Sequence, residues 1–225
     1  MKKLLSSIFI AMNAYFTFAD ISKETIELIR KIAENDPEID QAAFFQRKNI
    51  YVVIPSLMEA LGENTYVKQL NLCSCKLNTE CVDKIAEALP FTQLTKLDLS
   101  ETEIGAMEAY KIIENLGVNL TELDLSGNSI GNIGASYIAD ALKTNTTLTK
   151  LRLKKTRITD EGAKKLVEAL KENVTLTELD LSENKIKEEL IDMINKFLRI
   201  NETFKGEIDM KSSTSTNKRP CLSSH

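Results

Sequence analysis

Leucines return through the middle of this chain at a nearly fixed period. Five segments, starting at Val67, Leu94, Leu120, Leu148 and Leu176, follow one another at intervals of 27, 26, 28 and 28 residues. Each places apolar residues first, fourth and sixth, a short polar or thiol side chain ninth and an aliphatic one eleventh. In the first segment these are Val67, Leu70, Leu72, Cys75 and Leu77; in the last they are Leu176, Leu179, Leu181, Asn184 and Ile186. Thr102, Asn128 and Thr156 hold the ninth place in between. Alternation with a period of two predicts a short strand with one buried face. A small polar side chain just after it can turn inward and bond backbone groups that burial would otherwise leave without partners.

The second half of each repeat has a helical period. Three apolar ladders recur: Val82, Ala109, Ala135, Ala163 and Ile191; Ile85, Ile112, Ile138, Leu166 and Ile194; and Leu89, Leu116, Leu142, Leu170 and Leu198. Within a repeat the spacings of three, four and seven put one member of each ladder on a single helix face. That face can bury itself only against its own strand and the neighbouring repeats, so stacking is obligatory.

The five segments and their helices resemble the leucine-rich-repeat family, in its ribonuclease-inhibitor-like subclass. Leu148 to Asn184 matches best, with Gly162, Ala163, Leu166, Ala169 and Leu170 as the helix signature. The resemblance spans roughly Val67 to Asn201. It implies an α/β solenoid: a short curved horseshoe with parallel strands on the concave face and helices on the convex face. Members of the family mostly bind other proteins through that concave face.

The ends read differently. Met1, Lys2 and Lys3 precede an apolar run to Phe18, and Thr17 and Ala19 stand before Asp20, the layout of a signal peptide over residues 1–19. That reading implies a secreted or periplasmic protein without stable membrane insertion after cleavage; a retained segment would imply a cytoplasmic one. Residues 20–62 read as a helical N-terminal cap. Ile21 to Glu34 is its first helical stretch, broken by Pro37, and Ser56 to Asn64 matches Lys165 to Asn173, so the cap ends in a degenerate repeat. The repeats and a worn C-terminal cap occupy residues 63–210, with Phe204 and Ile208 suggesting a last worn strand. From Lys211 to His225 the chain is Ser/Thr-rich and nearly free of apolar residues, the composition of a disordered tail.

Composition restricts the chemistry. The one histidine is His225, the last residue, where no fold holds an imidazole for nucleophilic or zinc catalysis. A net charge of −4 gives no electrostatic ground for a nucleic-acid partner. Cys73 should point out of the strand face, Cys75 inward, and Cys81 should open a helix, directions that do not converge on a metal. The four Asn-x-Thr matches beginning at Asn119, Asn145, Asn173 and Asn201 recur because the repeat itself supplies them. No catalytic residue, cofactor or metal is expected.

The candidate contact residues are the variable strand positions, which form two columns on the concave face. One column is Gln69, Lys96, Glu122, Lys150 and Glu178; the other is Asn71, Asp98, Asp124, Arg152 and Asp180. With strands about 4.8 Å apart, Lys150 falls between Glu122 and Glu178, and Arg152 between Asp124 and Asp180. Such columns are either a recognition surface for a partner of mixed charge or a ladder that neutralises itself. Lys154, Lys155 and Arg157 have no acidic neighbour except Glu183 and are better contact candidates. The reading is therefore a monomeric, non-enzymatic module for a protein partner, such as a secreted bacterial protein acting on a host. The alternative is a cytosolic regulator of a small GTPase, because the resembled subclass includes Ran GTPase-activating proteins. A repeat-bearing ubiquitin ligase has no room for a catalytic domain in the short tail, Cys221 notwithstanding.

Overall fold

A computed structural model describes residues 21–47 and 49–215. Residues 1–19, read above as a signal peptide, lie outside this range, as do residues 216–225 of the expected tail. Helices and strands alternate along the chain: α1 (Lys23–Ala33), β1 (Gln41–Ala43), α2 (Ile54–Glu63), β2 (Gln69–Asn71), α3 (Thr79–Ala88), β3 (Lys96–Asp98), α4 (Ala106–Glu114), β4 (Glu122–Asp124), α5 (Gly131–Thr144), β5 (Lys150–Arg152), α6 (Asp160–Leu170), β6 (Glu178–Asp180) and α7 (Glu188–Ser215). The strands form one six-stranded parallel sheet in sequence order, β1 to β6. Each strand pairs only with the strand of the preceding and the following repeat, in a constant register that aligns Leu70, Leu97, Leu123, Leu151 and Leu179.

Three residues make a very short strand, and what holds each one is burial. Leu70, Leu97, Leu123 and Leu151 are at most 2% exposed, and Leu72, Leu99, Leu125 and Leu153 are fully buried. The helix ladders meet them from the other side: Ile85, Ile112, Ile138 and Leu166 are fully buried, and Ile194 nearly so. These residues belong to one continuous core from Ile29 to Leu198. Removing one such leucine or isoleucine side chain costs about 2–5 kcal/mol, since the cavity spans two repeats.

The backbone between strand and helix is satisfied by a second device. Asn128 accepts from the N–H groups of Thr102 and Ile104 in the preceding repeat, and its amide donates to Leu99 O and Leu125 O. Asn184 repeats this with Thr156, Ile158, Leu153 and Leu181. Thr102 and Thr156 donate to carbonyls of their own repeat, Leu99 O and Leu153 O, and make longer contacts to Asn128 Oδ1 and Asn184 Oδ1 of the next. A threonine repeat therefore relies on the asparagine of the next one. A further column, Thr95, Thr121, Thr149 and Thr177, donates each hydroxyl to the backbone of the repeat before it.

The two ends depart from the sequence reading. The degenerate repeat keeps a strand as well as a helix: β1 pairs with β2, with Ala42 opposite Leu70. Ala42 and Phe44 are buried there. The first helix stops at Ala33, ahead of Pro37, with Asn35 in the left-handed region at φ 57°. At the other end no worn strand forms. Phe204 lies where a sixth segment would begin, but Glu207 and Asp209 stand where its leucines would be, and α7 runs on through Phe204 and Ile208 to Ser215. The first five residues of the expected tail, 211–215, are thus helical. No helix among the described residues is long and apolar enough to cross a membrane.

Asn128→Ala should lower the unfolding free energy by about 2–4 kcal/mol, because it strands two buried N–H groups and two carbonyls at once. Urea unfolding of the variant beside Ser129→Ala, an exposed neighbour, checks this; equal stability of the two variants would contradict the role given to Asn128.

Candidate functional site

The sheet has one face covered by helices and one without them. The residues between the core leucines project from the helix-free face, and strand register sorts them into the two expected columns. Gln41, Gln69, Lys96, Glu122, Lys150 and Glu178 are successive partners in one; Ala43, Asn71, Asp98, Asp124, Arg152 and Asp180 are in the other. A shallow groove of about 270 Å³ crosses this face, and Lys96, Asp98, Glu122, Asp124 and Arg152 all line it. Lys150, Glu178 and Asp180 lie on the same face beyond it, and Lys154 and Lys155 occupy the loop that follows β5.

The charges on this face are largely paired. Lys96 meets Glu122 at 3.2 Å, and Lys150 meets Glu178 at 3.1 Å. Arg152, placed by register between Asp124 and Asp180, pairs with neither; its guanidinium reaches diagonally to Glu178 at 3.3 Å. The aspartates have another task. Asp98, Asp124 and Asp180 each accept from the N–H group two residues on, at Ser100, Ser126 and Ser182, and so hold the turn that leaves the strand. Asn71 does the same for Cys73 and also donates to Asp98 at 3.0 Å. The recurring Asp-x-Ser spacing is the sequence signal for this role. These half-exposed ion pairs are each worth about 0–1 kcal/mol.

The rim where strands pass into helices is unusual in its backbone. Gln46, Ser74, Glu101, Gly127, Lys155 and Glu183 occupy one position of the repeat, and all have a positive φ. At Gly127 an added Cβ would lie 2.7 Å from Cγ of the exposed Glu101, so a side chain there would require Glu101 to move. The others hold a full side chain in a conformation that disfavours L-residues by roughly 1–2 kcal/mol. Arg157, two residues past Lys155, has φ 64° as well. Lys154 bonds Glu183 at 2.9 Å, and that hydrogen bond raises the lysine above its ordinary pKa and lowers the carboxyl below its own. Lys155 and Arg157 are exposed, and neither forms an ion pair with a described residue.

A family model for the leucine-rich repeat matches residues 118–139, 144–167 and 172–189. The fold is that of a leucine-rich-repeat solenoid. Two solved structures share its fold. The actin-binding site 2 of leiomodin-1 superposes with a TM-score of 0.60 at 21% identity, covering 88% of this chain and all of that one. The tropomodulin C-terminal domain of Caenorhabditis elegans gives 0.54 at 14% identity, covering 84% and 99%. At these identities the likeness is one of fold.

The leucine-rich-repeat geometry also explains the cysteines and the Asn-x-Thr matches. Cys75 is fully buried and donates to Phe44 O at 2.8 Å, the carbonyl corresponding to those that Asn128 and Asn184 take in later repeats. Cys81 is also buried, and Cys73 is half-exposed. Burial raises the thiols of Cys75 and Cys81 above the ordinary value. Among the described residues no group of His, Cys, Asp and Glu side chains could hold a metal ion. Asn173 and Asn201 are 3% exposed and donate to backbone carbonyls of neighbouring repeats, so in the folded chain neither amide is open to modification.

In the native protein, iodoacetamide should alkylate Cys73 readily and leave Cys75 and Cys81 untouched until denaturant is added. Peptide mass spectrometry across a denaturant series reads this directly, and rapid native alkylation of Cys75 would remove it from the core.

Proposed function

We propose that this leucine-rich-repeat solenoid is a protein-binding module rather than an enzyme, with its contact surface on the helix-free, concave side of the sheet and on the rim beyond β5. The observation that carries this reading is the pair Lys155 and Arg157, both exposed, both at positive φ and both without an ion-pair partner among the described residues. The turn imposes this backbone in other repeats too, as at Glu101 and Glu103, so what singles the pair out is positive charge that no carboxylate takes up. Next to them Lys150, Arg152 and Lys154 are drawn into pairs with Glu178 and Glu183. The paired columns supply a polar floor of mixed sign, and the free cations supply attraction for an acidic patch on a partner. The groove lined by Lys96, Asp98, Glu122, Asp124 and Arg152 adds a recess across the same face.

The leiomodin-1 structure is by its name an actin-binding site, which supports protein binding as the use of this scaffold without choosing actin for this chain. A helix follows every strand of the sheet, which supports the ribonuclease-inhibitor-like form of the repeat. Export stands on the N-terminal sequence alone: Met1 to Ala19 has the layout of a signal peptide. The intact mass of protein recovered from the producing cell tests this, since cleavage leaves a chain that begins at Asp20 and retention leaves one that begins at Met1.

The binding surface is tested by capture from the organism's surroundings with the wild-type chain, with Lys155→Glu/Arg157→Glu, and with Glu178→Gln. The double reversal should lower capture about tenfold or more and flatten its salt dependence. Glu178→Gln, which breaks two pairs within the floor, should reduce it far less. Equal capture by the double variant and the wild type would take the contact surface away from this rim.

A further inference from the structure

The opposite rim, where helices pass into strands, has its own asparagine ladder, and that ladder is interrupted. Asn64 donates to Ile32 O and accepts from the N–H groups of Tyr66 and Val67; Asn173 repeats this with Leu142 O, Thr175 and Leu176, and Asn145 accepts from Thr147 and Leu148. Phe91 and Gly117 hold this position in two successive repeats between them. Gly117 has φ +70° and packs on Pro90 so closely that a side chain would lie 2.9 Å from its Cα. This is also the shortest interval of the repeat, 26 residues. Accordingly α4, with 9 residues, is slightly shorter than α3 with 10 and α6 with 11, and lies beside the longest of these helices, α5 with 14. The shortened helix leaves a cleft of about 730 Å³ against the C-terminal part of α5.

The chemistry of this cleft is specific. Tyr110 and Tyr137 meet on its wall with ring centroids 5.1 Å apart. Glu114 and Asp140 also line it. The C-terminal ends of α4 and α5 face it, adding the partial negative charge of their last carbonyls. The nearby cations are engaged: Lys111 with Asp83, and Lys143 with Asp140 at 2.7 Å. Glu114 forms no ion pair with a described residue, and its carboxylate lies near enough to the Tyr110 hydroxyl to raise that group above its ordinary pKa. At the mouth Val118 is 79% exposed, and beyond Pro90 so is Phe91, at 72%.

We propose that this cleft seats a segment of a partner protein carrying an arginine or lysine beside a large apolar residue. The cation lies against the tyrosine faces and reaches the Glu114 carboxylate, where attraction by the rings and by the carboxylate adds. The apolar neighbour covers Val118, which no part of the described chain covers. An acidic segment meets two carboxylates and two helix C-termini and is repelled. The site is on the other rim from Lys155 and Arg157, so it stands or falls independently of the concave-face reading.

The test is a selection of random linear peptides on the full-length protein, followed by affinity measurement of the winners on variants. Enriched peptides should pair arginine or lysine with leucine, isoleucine, methionine or an aromatic residue. Their affinity should fall about tenfold or more in Glu114→Lys and in Val118→Asp, and stay unchanged in Lys155→Glu/Arg157→Glu. Glu114 and Val118 are exposed, and thermal unfolding of both variants close to that of the parent separates lost binding from lost fold. Failure to enrich any peptide, enrichment of acidic or purely apolar ones, or affinity that survives both variants would overturn the proposal. So would a concentration-dependent dimer that Val118→Asp abolishes, because a second copy would then be what covers the cleft.

Discussion

A strand of three residues cannot satisfy its own surroundings. It offers few ladder bonds, and the turn that leaves it buries N–H and C=O groups far from water, each of which costs about 1–3 kcal/mol if left without a partner. In this chain the partner comes from the adjacent repeat. Leu72 N–H goes to Asp98 O, Leu99 N–H to Asp124 O, and Asn128 collects the turn of the repeat before it. Hydrogen bonding and apolar stacking thus impose the same requirement, and no repeat is complete without a neighbour. Length of the array, more than the strength of any one contact, is what makes the unit stable.

The binding surface follows from that requirement. Because the leucines face the helices, every second strand residue is left on the helix-free side with no packing role. Their charges could in principle all be recognition groups, but most are occupied: Glu178 holds both Lys150 and Arg152, and the aspartates fasten turns. What remains free is at the rims, where the backbone itself is least regular. On one rim positive φ values accompany two unpaired cations; on the other a shortened repeat opens a cleft with carboxylates and exposed apolar side chains.

The solenoid was legible because its signal is periodic and redundant: five copies of one pattern, each with a helix ladder to match. Legibility failed where a copy had drifted. Ile39, Ala42 and Phe44 keep the spacing of the first strand but contain no leucine, and only pairing with β2 reveals it. Phe204 keeps the period without the leucines that should follow, so helix prevails over strand. The two columns were readable from register alone, yet the partner of Arg152 was not, because a long side chain reaches past its lateral neighbours to a diagonal one. The cleft had a sequence signal in the interval of 26 residues, but its consequence depends on where the missing residues fall.

The alternation of threonine and asparagine at the strand ends gives the array a grammar of two. Thr102 leans on Asn128 and Thr156 on Asn184, so the stack is built of coupled doublets rather than identical tiles. Excising residues 120–147 would set one threonine turn directly against another, leaving that of Thr102 without an amide while Asn184 still closes that of Thr156. Excising residues 94–147 removes a whole doublet and leaves the remaining one intact behind Cys75. A lineage that lengthens or shortens such an array by duplication is therefore steered toward even steps, and the parity of the count becomes an inherited property of the molecule.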